Sequence, residues 1–343
     1  MILVTGGTGL VGSHLLLDLV RSGEKVRAIY RSEGKLSEVK RVFSYYDSAK
    51  DACILFNSID WVQADILDIP SLNKAFKNID HVYHCAAIVS FDAKNAKSLR
   101  TTNIEGTANI VNFCIAFNVK KLCHVSSIAT MDLTLGDEYI SENFTWHPEK
   151  AHNDYAISKH GAEIEVWRGT QEGLSAVIVN PGVIIGPGFW NSGSGQLFKK
   201  TNEGLKYHFP KTTGFVGVQD VSKASILLMN SSIENEQFIV VSENLSFKTI
   251  LEWVATSLQK KPPQTALKPW MVFIGWIFQS IANILWGAKK QLSNSDYKSL
   301  FEHSYYSNEK IKESIGFAFT PVKSVILETG KLYRKENDNI PSS

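Results

Sequence analysis

Tyr155 and Lys159 stand four residues apart in "DYAISKH", a segment that reads as helix. That spacing stacks two side chains on one helical face. A free tyrosine, with a pKa of about 10, is a poor acid or base at neutral pH. A nearby ammonium stabilises the phenolate and lowers that value. The tyrosine can then exchange a proton with a hydroxyl or carbonyl oxygen while hydride moves at the adjoining carbon. The lysine can also hold a cofactor ribose. Ser126 and Ser127 close a predicted strand in "KKLCHVSSIAT". Ligands of an open parallel sheet bind beyond the carboxyl ends of its strands, so one of these hydroxyls can reach the reacting oxygen. Taken singly, YxxxK is a common surface pair and strand-end serines are common in turns. Their order behind a dinucleotide loop gives them weight.

That loop is "TGGTGLVG", from Thr5 to Gly12. Two phosphate-loop spacings overlap in it: Gly7, Gly9, Gly12 as GxGxxG and Gly6, Gly9, Gly12 as GxxGxxG. Thr8, Leu10 and Val11 fill the gaps. The apolar run "MILV" precedes it and the helical pattern "VGSHLLLDLVRSG" follows. In that context glycines permit a tight turn, close backbone approach to a pyrophosphate and helix packing. The helix N-terminus adds free N–H groups and partial positive charge. About 20 residues on, where a ribose-binding acid would stand, the chain reads "IYRSEGK". Arg31, with Ser32 and Lys35 nearby, can pair with a 2′-phosphate through a forked, charge-assisted contact. This favours NADP(H); Glu33 close by leaves NAD(H) open. Asp65 in "QADILD" suits the adenine amino group, with Ile66 packing on the ring, and equally suits a turn or helix N-cap.

Competing chemistry is absent from the pattern. Nine histidines form no HExxH and no paired ligand spacing, so no metal site is expected. There is no GxSxG elbow. His84 and His124 fall in predicted strands and read as core histidines. The four cysteines include no CxxC pair, which fits buried reduced thiols. A net charge of +2 lacks the clustered basic face of a nucleic-acid binder.

The elements that must position these residues alternate as strand, helix, strand. The expected fold is α/β: a Rossmann-type doubly wound parallel sheet with a smaller C-terminal substrate-binding domain. Residues 1–180 read as the dinucleotide-binding domain, with 216–242 packing back onto it. Residues 181–215 and 243–333 read as the substrate-binding domain, and 334–343 as a frayed tail. The strand pattern starts at Ile2 with no leader before it, which fits a cytoplasmic chain. The stretch 269–288 carries no charged residue but places Gln279, Ser280 and Asn283 on a narrow stripe. Its preferred reading is a helix in the membrane interface or a lid over a lipophilic pocket. A buried substrate-domain or homodimer helix stays open, with a true span third.

Together these residues resemble the extended short-chain dehydrogenase/reductase family, also called the NAD-dependent epimerase/dehydratase family, over nearly the whole chain. The resemblance implies the Gly6, Gly9, Gly12 register, an adenine turn at Asp65 and Ile66, and a nicotinamide-ribose strand at Ala86 and Ala87 in "HCAA". It implies Asn103 as the helix asparagine and Ser127, Tyr155 and Lys159 as the catalytic triad. "NPGVIIGPG" puts Pro181, Gly182, Val183 and Ile184 beside the nicotinamide, and "FVGVQDV" matches a further segment around Asp220. "VRAIYRSEGK" and "VNPG" look more like the dihydroflavonol-reductase-like and 3β-hydroxysteroid-dehydrogenase-like branches than the sugar-nucleotide epimerases. The implied activity interconverts a secondary alcohol and a ketone on a bulky, mostly apolar small molecule. A cofactor-retaining epimerase or dehydratase is the alternative, and a non-catalytic binding module the third.

Overall fold

The computed structural model describes residues 1–144, 146–269, 271 and 301–338. Seven parallel strands form the central sheet: β1 (Ile2–Thr5), β2 (Val26–Tyr30), β3 (Asp60–Gln63), β4 (His81–His84), β5 (Lys121–Val125), β6 (Ala176–Pro181) and β10 (Glu236–Val240). Their spatial order is β10-β6-β5-β4-β1-β2-β3. The chain starts in the middle, winds outward to one edge and then to the other. That reversal beside β1 opens a crevice at the carboxyl ends of β1 and β4, where a dinucleotide binds in such sheets.

Helices cover both faces. On one, α1 (Leu10–Arg21) and α9 (Val218–Asn230) pack through Leu15, Leu19, Val221, Ala224 and Leu228. On the other, α6 (Gly106–Ala116) and α7 (Asp154–Gln171) pack through Ile110, Val111 and Val166 against Leu3, Leu122 and Ile178. Strands buried on both faces explain the near-continuous apolar runs "ILV" and "AVIV". Two helices between β2 and β3, α2 (Leu36–Ser44) and α3 (Ala49–Asn57), are additions to the sequence reading; Val39, Phe43 and Phe56 bury them in the core shared with α1.

The smaller unit gathers a three-stranded sheet, β11 (Glu243–Ser246), β9 (Thr212–Gly217) and β7 (Val183–Ile185), with α8 (Gly195–Asn202), α10 (Phe247–Leu258) and α12 (Val322–Asp338). Its core holds Trp190, Phe198, Phe215, Ile250, Val254, Ile326 and Tyr333. The expected tail from 334 is corrected here: α12 runs on to Asp338. The reason is a polar anchor. Glu336 accepts hydrogen bonds from Trp190 Nε1 at 2.8 Å and from the Tyr45 hydroxyl, and its carboxylate lies 3.4 Å from Arg41. The apolar stretch 269–288 lies almost wholly outside the described residues. No helix among the described residues is long and apolar enough to cross a membrane.

Candidate active site

The glycine loop ends β1 and opens α1, and its glycines divide the work. Gly6 has φ +69°, and a Cβ there would lie 2.5 Å from the Ala86 nitrogen. A Cβ on Gly12 would run into the Gly6 carbonyl, and one on Gly7 would lie 2.8 Å from Leu16 Cδ1. These three are fixed by the protein itself. A Cβ on Gly9 would meet only the Gly6 oxygen, at 3.4 Å. Gly9 is also the N-cap of α1, with no side chain capping the helix and no acid in its first turn. An uncapped helix start behind an open glycine is a phosphate cradle. The loop therefore fits a dinucleotide, with open space at Gly9 and the uncapped start of α1 at Leu10 and Val11. Thr8 is half-buried on the same turn.

Arg31 follows β2 and is largely exposed; its guanidinium is 3.8 Å from Asp65. Lys35 is exposed one turn further on. Asp65 spends one oxygen on the Leu67 N–H at 2.9 Å, so it does serve a turn. Ile66 departs from its expected place on an adenine ring. It is buried and fills the space over Gly106, where a Cβ would lie 2.5 Å from its Cδ1. Ala86 and Ala87 follow β4, with the Ala86 N–H 3.4 Å from Thr5 Oγ1. Pro181, Gly182, Val183 and Ile184 join β6 to β7, held by Gly182 N–H to the Val240 carbonyl at 3.2 Å.

Asn153 caps α7 by accepting from the Ala156 N–H at 2.8 Å, which sets Tyr155 and Lys159 in the first two turns. Both are buried. Ser127 sits just past β5, and its Oγ accepts from the Ala129 N–H at 3.1 Å. The structure thus brings Ser127 beside Tyr155 as expected. The electrostatics differ from the expectation. Burial pushes the Tyr155 hydroxyl above its ordinary pKa, and the neighbouring Ser127 hydroxyl pulls it only part of the way back. Lys159 is directed at β5 instead: Nζ donates to the Val125 carbonyl at 2.8 Å and lies 3.4 Å from His124 Nε2. Burial lowers the Lys159 ammonium to about 8.

Asn103 is a second correction. It sits in a single π-turn, Thr101–Glu105, and is buried. Its Oδ1 accepts from the Ile88 N–H at 2.8 Å, and its Nδ2 donates to the Ile88 carbonyl at 3.0 Å and to Ser158 Oγ at 2.9 Å. With both ends of the amide taken, it holds the loop after β4 rather than a reacting oxygen. Asp220 is likewise structural, its carboxylate accepting from the Thr320 N–H at 2.8 Å and hydroxyl at 2.9 Å.

One buried group was missed. Glu163 accepts from Asn180 Nδ2 at 2.6 Å and Thr130 Oγ1 at 2.9 Å, and burial raises its pKa. It lies one turn beyond Lys159, a spacing the sequence displays. His84 and His124, read from the sequence as core histidines, are buried on adjacent strands with ring centroids 5.1 Å apart and tilted, and His84 is held by Thr5 at 2.7 Å and Thr107 at 3.0 Å. Burial keeps both imidazoles neutral at physiological pH. No group of metal-ligating residues occurs among the described residues.

Known proteins resemble this chain in sequence and in fold. The model of the NAD-dependent epimerase/dehydratase family matches residues 2–240. A putative dihydroflavonol 4-reductase from Synechocystis is 25% identical over 337 residues, covering 95% of this chain and 92% of the relative. Sterol demethylase protein B from Methylococcus capsulatus is 27% identical over 269 residues, covering 78% and 77%. The solved UDP-glucose 4-epimerase of Thermus thermophilus, in complex with NAD, superposes with a TM-score of 0.71 at 21% identity over 97% of this chain and 98% of that one. At that identity the last likeness shows the fold alone. The glycine cradle, the strand order and the matched length agree: the chain belongs to the NAD-dependent epimerase/dehydratase family, the extended short-chain dehydrogenase/reductases.

Proposed function

We propose that this chain is an NADP(H)-dependent oxidoreductase that interconverts a secondary alcohol and a ketone on a bulky, largely apolar substrate. The observation that carries this reading is Tyr155: a buried phenol with a raised pKa, beside Ser127, with the exposed ring of Phe91 set edge-to-face against it at 5.6 Å. A phenol kept neutral is a proton donor to a carbonyl oxygen. Ser127 shares the same oxygen as a hydrogen-bond donor. Gly6, Gly7, Thr8, Gly9, Leu10, Val11 and Gly12 would hold the pyrophosphate, Arg31 and Lys35 a 2′-phosphate, and Asp65, with the turn at Ile66, the adenine side. Ala86, Ala87 and the run from Pro181 to Ile184 would flank the nicotinamide. When bound, the dinucleotide supplies hydride to the carbonyl carbon, or takes it back in the reverse direction. In reduction the Tyr155 O–H proton goes to the carbonyl oxygen, and the phenolate is reprotonated from solvent. Two of the three Lys159 N–H directions are taken by Val125 and His124, and the third would serve a ribose hydroxyl.

The names of the putative dihydroflavonol 4-reductase and the sterol demethylase protein B support a hydrophobic substrate class. The NAD-bound epimerase fold supports a second reading, a cofactor-retaining epimerase. A panel of ketones, steroids and sugar nucleotides, followed by NADPH oxidation, separates the two. The oxidoreductase reading requires net NADPH consumption with a ketone and its loss by at least about a hundredfold in Tyr155→Phe. Protein purified with tightly bound cofactor and showing no net turnover favours the epimerase.

A further inference from the structure

The chain from Ala87 to Asp92 alternates like a strand: Ala87, Val89 and Phe91 are exposed, while Ile88, Ser90 and Asp92 are half-buried. Single exposed apolar residues are ordinary. These are not single. Val89 is 61% exposed and Phe91 58%, Ala87 is exposed at the preceding alternate position, and the row ends on the Tyr155 ring at 5.6 Å.

The other side of the segment is pinned. Asn103 holds both backbone groups of Ile88, at 2.8 and 3.0 Å. Ser90 Oγ accepts from Asn95 Nδ2 at 2.8 Å and from the Asp92 N–H at 3.2 Å. Asp92 Oδ1 accepts from the Lys94 N–H at 3.0 Å and caps the short turn that follows. Three successive inward positions are thus spent on fixing an apolar row that folding itself does not bury. Fixing exposed apolar groups beside a proton donor lowers the entropy cost of binding something apolar there.

Resting on the oxidoreductase reading, we propose that Val89 and Phe91 form the substrate platform, binding the flat apolar face of an aryl or fused-ring ketone whose carbonyl points to Tyr155. Phe91 meets Tyr155 edge to face yet stays 58% exposed, so a planar ring system can pack on it beside Tyr155. A sugar nucleotide would set hydroxyls against these two side chains and leave them unpaired, so the platform selects against that class.

The test is equilibrium dialysis of 2-acetonaphthone, a naphthyl ketone, against protein saturated with NADP⁺, which blocks turnover. One saturable site per chain is expected. Val89→Ser/Phe91→Ser should raise its Kd by roughly tenfold or more. Val89→Ile/Phe91→Trp should restore it. Unfolding temperature and NADP⁺ affinity should stay unchanged in both, because the two side chains are exposed. A Kd within twofold of wild type in the serine variant overturns the platform, as does the lack of any saturable site. UDP-glucose binding more tightly than the ketone also overturns it. Failure of the oxidoreductase reading is separate: it shows as no NADPH consumption with any ketone, whatever the dialysis gives.

Discussion

Lys159 Nζ lies 2.8 Å from the Val125 carbonyl oxygen and 3.4 Å from His124 Nε2. For a neutral imidazole to accept from an ammonium, its proton must sit on Nδ1. His124 Nδ1 has no hydrogen-bond partner among the described residues, so this tautomer leaves a buried donor unpaired. That cost is tolerated where the other nitrogen fixes a charged group. His124 acts as a positioning residue for Lys159. His124→Phe should lower kcat about tenfold or more and shift the basic limb of the pH profile to lower pH, because the ammonium loses an acceptor. His124→Gln, which keeps an acceptor, should recover most of both. An unmoved pH profile in His124→Phe would sink this role.

The pH dependence follows from two groups shifted apart. Tyr155 is pushed above its ordinary value of 10.0 and stays protonated at neutral pH. Lys159 is lowered from 10.5 to about 8, burial outweighing the favourable charge of Glu163. Cofactor affinity and reduction rate should therefore hold up to about pH 8 and fall beyond it. Stability should behave differently. A lysine whose folded pKa is depressed costs the folded state most below about pH 8, and that cost is relieved as pH rises toward 10.5. Its own contribution to stability thus improves where binding declines. Cofactor titrations from pH 6 to 10 beside melting curves read this, and Lys159→Met should flatten the binding profile.

The glycine loop, Ser127, Tyr155 and Lys159 were legible because each rests on spacing within one element or on a strand end. Asn103 was legible as a position but not as a role, since its partner Ile88 comes from the loop after another strand. Glu163 lies one turn beyond Lys159, yet a glutamate in a helix usually faces solvent. Only Thr130 and Asn180, from two other elements, turn it into a buried acceptor. The helix α2 was within reach, with Leu36, Val39, Val42 and Phe43 at helical spacing. Ile66 shows the reverse limit: its inward turn depends on the notch at Gly106, 40 residues away in the chain.

Asn103 should matter to stability before chemistry. Asn103→Ala removes three hydrogen bonds and leaves the Ile88 N–H and carbonyl unpaired, worth about 1–3 kcal/mol for a buried group. Thermal melts should show a clear loss. Amide hydrogen exchange should rise first at Ile88 and along the Val89–Phe91 row. Unchanged exchange there would show that the loop holds itself.

Substitutions in the glycine loop should separate folding from binding. Gly12→Ala collides with the Gly6 carbonyl, and Gly6→Ala meets Ala86 at 2.5 Å in a left-handed conformation, so both should unfold or express poorly. Gly9→Ala meets nothing closer than 3.4 Å. It should fold with a near-normal melting temperature and lose dinucleotide affinity by about tenfold or more, because its methyl enters the space the pyrophosphate takes. Normal affinity in a folded Gly9→Ala protein would show that the pyrophosphate does not approach Gly9.

Arg31 decides the second cofactor question. Its contact with Asp65 at 3.8 Å joins two side chains that are 60% and 38% exposed, a pair worth about 0–1 kcal/mol. So weak a contact leaves the guanidinium free to turn to a 2′-phosphate, where forked charge-assisted bonds are stronger. Arg31→Ala should weaken NADPH binding roughly tenfold to a hundredfold and leave NADH nearly unchanged. Asp65→Asn removes a carboxylate that repels the same phosphate and should tighten NADPH modestly. Both effects should shrink in high salt, since the groups are exposed. Fluorescence titrations of the two cofactors at two salt concentrations measure all of this. Equal affinity for NADPH and NADH in wild type and in Arg31→Ala would sink the preference for a 2′-phosphate.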